Sequence, residues 1–208
     1  PSGIIVWLAE EGPDGKKVAQ AVTDEAGGFV FEGVASNSIT VYSLSLAYEG
    51  AVYGTLVDLN SEIYSLPEIL IHESTVKGNA ISMASMSILF AAVEAERNHV
   101  KILEIVRVLN DSDTTYIPSA DPMELLRFGL PKDATALQVN TGLLNADFVQ
   151  VDRGFALLAA VPPGEHEMMY AYEMPYENET AVLKKSFRYG AETLRVLAPK
   201  ELLQVFSD

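Results

Sequence analysis

The sequence predicts an all-β protein made of two tandem β-sandwich domains, residues 1–76 and 77–208. Short apolar or alternating runs rich in β-branched side chains make up most of the 208 residues, and turn residues separate them at the spacing typical of sandwiches. The chain is 49% hydrophobic, which is enough to bury a core. Its length exceeds that of one average domain, which supports a division in two.

Predicted strands follow one another through the first domain. GIIVWLAE (3–10) is an apolar, β-branched run, and a Pro-Asp-Gly turn ends it. KVAQAVT (17–23) comes next, and SITVYSLSLAYEGAVYG (38–54) alternates side chains as a half-buried strand does. PEILIHEST (67–75) supplies a further strand and closes the domain.

The acidic stretch AVTDEAGGFVFEGV (21–34) has two interpretations. Asp24 and Glu25 offer carboxylates to a cation such as calcium, which takes six to eight oxygen ligands. Two neighbouring side chains fall well short of that number. The sequence favours a hairpin turn in which Asp24 bonds to its own backbone, Gly27 or Gly28 takes a positive φ, and both phenylalanines enter the core.

The second domain begins with a stretch whose periodicity is ambiguous, residues 81–110. It contains apolar residues at helical spacing, and it also alternates as two strands joined at EAERNH (94–99). In the strand reading, Ile102 and Val106 lie on one face, and Leu103 and Ile105 lie on the other. The β-branched content of VKILEIVRVL favours the hairpin, which is our prediction.

The rest of the second domain is predicted as shorter strands. Residues 124–142 are a strand, a proline-containing turn and a strand, and residues 147–176 are strands separated by DRG and PPGE. Residues 182–208 are predicted as three short strands with turns at Tyr189-Gly190 and Pro199-Lys200. The prolines fall at strand ends or turns, where a missing N–H is tolerated.

Composition excludes several classes of function. The net charge of −15 argues against binding nucleic acid or anionic lipid, because both require a basic surface. The absence of cysteine excludes disulfides, thiol catalysis and cysteine-ligated metal. No apolar run reaches the roughly 18 residues that span a bilayer. The start, PSGIIVWLAE, has no initiator Met and no basic leader, so we expect a mature or partial chain.

Candidate metal and catalytic residues are few. Asp111 and Asp113 in NDSDTTY are weak calcium candidates, because their spacing fits but the remaining EF-hand positions do not; the sequence favours a turn there. The three histidines, His72, His99 and His166, lie in separate segments, and His72 and His166 stand beside acidic residues, so no metal site or cofactor is predicted. No nucleophile elbow, P-loop or H-E-x-x-H motif is present.

Aromatic residues give the remaining candidate site. MMYAYEMPYENE places Tyr170, Tyr172 and Tyr176 close together, and in a strand Tyr170 and Tyr172 share a face with Met174. Such a face is a candidate surface for a sugar, a small ligand or a partner protein. The alternative, which the sequence favours, is core packing with the hydroxyls at the rim.

The first domain resembles the carboxypeptidase regulatory-like domain, a transthyretin-like β-sandwich common in bacterial surface proteins. The resemblance covers residues 1–75 and depends on the motif positions Thr23, Asp24, Gly28, Phe29, Phe31 and Val34. That family has one more strand before GIIVWL, which implies that the chain has lost its start or that a neighbour fills the edge. The remainder resembles the second, Ig-like β-domain attached to such modules in bacterial envelope proteins.

The resemblance implies a non-catalytic module, exported to the periplasmic or extracellular face and held at the membrane by a segment outside this chain. We therefore expect a structural or interaction subunit of a cell-envelope assembly, whose partners are other protein subunits and, given the acidic surface, a basic one among them. A carbohydrate- or small-ligand-binding module is the alternative. A transthyretin-like hydrolase is less favoured, because FRYG (187–190) replaces the Tyr-Arg-Gly-Ser signature of those enzymes.

Overall fold

A computed structural model describes residues 1–11, 16–34, 41–59, 65–200 and 206. Their regular structure is almost entirely β-strand, and the helical elements among them are two short 3₁₀ helices, Gly78–Ala80 and Ala95–Arg97. The predicted all-β fold class is therefore confirmed. The chain divides into two compact units, Pro1–Ser74 and Thr75–Asp208, where the sequence placed a boundary after residue 76.

The first unit contains one antiparallel sheet of four strands in the order β2-β1-β3-β4. These strands are β1 (Ile5–Glu10), β2 (Lys17–Val22), β3 (Val41–Tyr48) and β4 (Ala51–Asp58). Alternation puts Val6, Leu8, Leu44 and Leu46 on one buried face.

Two segments predicted as strands cover the apolar side of the first unit without forming strands. Residues 29–34 and 65–73 have no regular secondary structure, and only Ser74–Thr75 (β5) of PEILIHEST is a strand. The prediction of strands there is wrong. Each run contains apolar side chains at strand-like spacing, but spacing alone does not provide a neighbouring backbone to pair with.

The second unit is a sandwich of two sheets, with strand orders β10-β13-β7-β6-β14 and β11-β12-β9. The predicted hairpin over residues 81–110 is confirmed, because β6 pairs with β7 in antiparallel register. The strands are β6 (Ile81–Glu94), β7 (His99–Asn110), β8 (Thr115–Tyr116), β9 (Leu126–Gly129), β10 (Thr135–Thr141), β11 (Asp147–Val151), β12 (Gly154–Leu158), β13 (Gly164–Pro175) and β14 (Thr193–Leu197).

The core of the second unit lies between its two sheets. The inward face of β7 contributes Val100, Ile102, Val106 and Val108, which pack with side chains of β12 and β13. The C-terminal region differs from the prediction of three strands: residues 181–192 have no regular structure, and β14 pairs with β6 in parallel. Residues 201–205 lie outside the described part of the chain.

Candidate functional site

The tyrosines predicted as a binding surface lie inside the second unit. Tyr170 and Tyr172 do share a face of β13 with Met174, but each tyrosine is only 1% exposed and Met174 is 3% exposed. Tyr176 is half-buried just beyond the end of the strand. The surface-patch hypothesis is therefore corrected: this face of β13 points toward the second sheet, so its side chains pack in the core instead of meeting a ligand.

Asp111 and Asp113 are exposed in a loop that side-chain hydrogen bonds hold in shape. The Asn110 amide donates to the carbonyl oxygens of Thr114 at 2.8 Å and Val161 at 2.9 Å. Ser112 Oγ donates to Asn110 Oδ1 at 2.7 Å. Among the described residues, no group of three or more His, Asp or Glu side chains is arranged to hold a metal ion. The loop has the geometry of a turn built on asparagine.

The two histidines of the second unit lie at opposite ends of one strand pair. His99 begins β7, whereas His166 on β13 stands opposite Val108 of β7. Nine strand positions separate these two ends, which corresponds to about 30 Å. His99 and His166 cannot act together at one metal or one substrate, so these two histidines do not support the hydrolase hypothesis.

Sequence reasoning missed a cluster of polar groups buried in the second unit. Glu104, on the inward face of β7, is 0% exposed, and the Lys185 side chain is 6% exposed. Lys185 Nζ lies 2.6 Å from each carboxylate oxygen of Glu104 and 3.1 Å from the Gly129 carbonyl oxygen. Tyr170 and Tyr172 donate their hydroxyls to the two carboxylate oxygens, at 2.7 Å and 2.8 Å.

Burial determines the protonation of this cluster. Desolvation, followed by the nearby Glu104 carboxylate, raises the pKa of the Tyr170 and Tyr172 hydroxyls far above the ordinary value of 10.0, so both keep their protons and donate. Burial also lowers the pKa of Lys185, and the contact with Glu104 opposes that change. Three donor groups contact one carboxylate. This is the geometry of an ion pair whose hydrogen bonds compensate the free-energy cost of its desolvation.

This cluster is closed to substrates and is best understood as a structural connection. Lys185 belongs to the irregular segment 181–190, and its contact with Glu104 fastens that segment to the core. The Tyr189 hydroxyl, in the same segment, accepts a hydrogen bond from the Arg127 backbone N–H at 2.8 Å. A segment without strand hydrogen bonds is thus tied to the core by two polar side chains, in addition to the packing of Leu183 and Phe187 against the core.

An open cleft of about 730 Å³, lined mostly by apolar side chains, lies within the first unit. Its floor is the buried face of the sheet, represented by Leu8 of β1 and Leu46 of β3. Thr23 holds the adjoining start of the chain, because its Oγ1 donates to the Pro1 carbonyl oxygen at 2.9 Å and accepts from the Ile4 N–H at 3.0 Å. The volume is in the range of ligand-binding clefts.

One wall of the cleft is residues 26–34, which follow the predicted Asp24 turn. Asp24 Oδ1 accepts hydrogen bonds from the N–H groups of Ala26 at 2.9 Å and Gly28 at 2.7 Å, and Gly27 has φ +81°. The Asp24 hydrogen bonds and the positive φ of Gly27 agree with the prediction, but the predicted hairpin does not form, because residues 29–34 are not a strand. The phenylalanines that follow, Phe29 and Phe31, are half-buried, stand edge to face at 5.7 Å and line the cleft.

The other wall is residues 65–71, anchored at its C-terminal end. The Tyr53 hydroxyl donates to the His72 carbonyl oxygen at 3.1 Å and accepts from the His72 N–H at 3.3 Å. Tyr48 donates to Glu73 Oε1 at 2.9 Å, a hydrogen bond that raises the pKa of the Tyr48 hydroxyl. Each wall carries a highly exposed apolar residue, Val30 at 75% and Leu70 at 69%.

The charged side chains around the cleft are acidic. Glu68 is part of the lining, Glu25 and Glu32 flank lining residues of the opposite wall, and all three are exposed. Residues 1–74 contain 11 acidic residues against two lysines, Lys16 and Lys17, neither of which lines the cleft. The side chains that line the cleft are therefore mostly apolar, and its rim is negative.

Comparison with protein-family models finds no family that matches the chain, and comparison with curated proteins finds no similar sequence. None of the helices among the described residues has the length and apolar character needed to cross a bilayer. The resemblance of residues 1–75 to carboxypeptidase regulatory-like domains remains a prediction from the motif. The geometry of the cleft is accordingly the main basis for a functional proposal.

Proposed function

We propose that this chain is a non-catalytic interaction subunit of a bacterial cell-envelope assembly, exported and held at the membrane by a segment outside the chain. The observation that carries the proposal is the open cleft of the first unit, which is lined mostly by apolar side chains. Val30 and Leu70 are highly exposed on its opposite walls. Covering apolar surface is favourable by about 25 cal/mol per Å², so a partner that fills the cleft gains binding energy there.

The position of aromatic residues favours this proposal over carbohydrate binding. Binding to sugars would need exposed aromatic faces, whereas Tyr170 and Tyr172 are buried around Glu104. The aromatic residues of the cleft, Phe29 and Phe31, have no polar group with which to recognise a sugar hydroxyl. An apolar segment of a protein partner suits such a lining better.

The test is purification of the tagged full-length protein from its native membranes, with two matched substitutions. Leu70→Asp places a charge on the cleft wall, and Leu56→Asp makes the same change at a leucine of β4 that is 61% exposed and outside the cleft lining. We expect stoichiometric protein partners with the wild type and with Leu56→Asp, and their loss with Leu70→Asp. Recovery of the wild type as a soluble monomer without partners would refute the proposal.

A further inference from the structure

We propose that the cleft of the first unit binds an extended segment of a basic partner protein, which adds a β-strand between the two walls. This inference rests on the proposed function and specifies how the partner is recognised. The expected partner segment has alternating apolar side chains and carries Lys or Arg at its ends. Three observations support it: the backbone of the walls, the open face of the sheet and the charge of the rim.

The walls offer backbone groups for pairing. Within the described part of the chain, no backbone–backbone hydrogen bond joins residues 29–34 or residues 65–71 to any neighbour. Both runs line the cleft and neither belongs to a strand or a helix. Backbone N–H and C=O groups of runs like these are the feature that strand addition uses, because an incoming segment can pair with them.

Among the described residues of the first unit, no second sheet covers the apolar face of the sheet below the cleft. In the sandwich of the second unit, the corresponding face of β7 is covered by the sheet of β9, β11 and β12. In the first unit, the described cover over Leu8 and Leu46 consists of the two irregular walls with the cleft between them. An added strand would place every second side chain on this floor, as the inner strand of a sandwich does.

The charge of the rim identifies the kind of partner. Glu25, Glu32 and Glu68 stand exposed along the two walls, and carboxylates there attract a segment with basic ends and repel an acidic one. A second copy of this chain is disfavoured as the occupant, because its net charge is −15. The occupant that fits both the lining and the rim is an apolar segment flanked by Lys or Arg.

The experiment is selection of displayed peptides of roughly ten residues, the length of a long strand, on the intact wild-type chain after depletion on the Leu70→Asp chain. We expect the enriched peptides to alternate apolar and polar residues and to carry Lys or Arg at their ends. The best peptide is then synthesised, and its affinity is measured by fluorescence anisotropy for the wild-type, Leu70→Asp and Leu56→Asp chains. Binding should be lost with Leu70→Asp and retained with Leu56→Asp.

Backbone pairing is tested by N-methylating alternate residues of the synthesised peptide, in one register and then in the other. Strand addition predicts that at least one register binds about tenfold more weakly or worse, because methylation removes the N–H donors that face one wall. Replacing the basic ends by Glu should weaken binding at low salt, and this difference should shrink as salt is added.

Three results would overturn the inference: no peptide that distinguishes the wild type from Leu70→Asp, binding of both N-methylated forms as tight as that of the parent peptide, or enrichment of acidic ends. The proposed function is judged separately by the partners recovered from membranes. If Leu70→Asp loses those partners while both N-methylated peptides bind like the parent, strand addition is wrong and the interaction function stands.

Discussion

Replacing Lys185 by Met tests how the buried cluster of the second unit is stabilised. Met retains most of the length of the lysine side chain and removes its charge. Glu104, which is 0% exposed, then keeps the Tyr170 and Tyr172 hydroxyls as donors but loses its only cationic partner among the described residues. A buried carboxylate without a counter-charge is strongly disfavoured.

The expected loss of unfolding free energy is about 3–5 kcal/mol, the range found when one partner of a buried ion pair is removed. At roughly 4 °C per kcal/mol for a domain of this size, the melting temperature should fall by about 12–20 °C. Lys101→Met is the matched control. Lys101 pairs with Glu94 at 2.5 Å, but its side chain is 47% exposed and solvent screens the pair, so Lys101→Met should lower the unfolding free energy much less than Lys185→Met.

The assay is urea unfolding followed by near-ultraviolet circular dichroism of the tyrosines. Trp7 is the only tryptophan and lies in the first unit, so its fluorescence reports that unit separately. Adding Glu104→Gln to Lys185→Met should bring the stability back to within about 1–2 kcal/mol of the wild type, because the buried charge is removed and an acceptor is kept.

A buried ion pair would not explain the stability of this cluster if Lys185→Met lowered the unfolding free energy no more than Lys101→Met does. The same holds if the double variant is less stable than Lys185→Met alone.

Two further predictions concern the same unit. In the folded protein, the pKa of Tyr170 and Tyr172 is raised above its unfolded value. The contribution of these two hydroxyls to the unfolding free energy is therefore fully present below about pH 10 and decreases above it, by about 1.4 kcal/mol per pH unit for each tyrosine. Tyr172→Phe should therefore reduce the slope of unfolding free energy against pH by about that amount, and an unchanged slope would contradict this. Gly154→Ala should cost more than about 3 kcal/mol in urea unfolding, because the new Cβ would lie 1.9 Å from the Phe128 carbonyl oxygen at φ +152°. Gly142→Ala, with nothing within 4 Å and no positive φ, is the control and should stay within about 0.5 kcal/mol of the wild type.

The sequence predicted the fold class because strands are encoded locally. The β-branched content of residues 99–110 favours a strand, and the structure buries every even-numbered side chain of β7 from Val100 to Asn110. The Asp24 turn was also predictable, because an aspartate followed by two glycines supplies both the acceptor and the positive φ. In both cases the residues that interact are close in the sequence or repeat at a fixed interval.

The buried cluster and the cleft depend on contacts between distant residues. The position of Glu104 in the sequence indicates a buried polar cluster. Glu104 occupies the inward position between Ile102 and Val106, where a charge requires a partner. The sequence does not identify that partner as Lys185, because 81 residues separate the two and Lys185 lies outside any strand. The tyrosine face was assigned correctly to one side of β13, but alternation does not say which side faces the core.

We propose different roles for the two units, on the basis of the contrast between them. In the second unit, a second sheet covers the apolar face, and Lys185 fastens the irregular segment to Glu104, so its polar groups stabilise the unit itself. In the first unit, the described cover over the sheet leaves a cleft whose carboxylates face solvent. Under conditions where all variants remain folded, Lys185→Met should therefore lower stability and leave partner binding intact, whereas Leu70→Asp should abolish partner binding with little change in stability. If partner binding followed stability in both variants, the cleft would not be the recognition site.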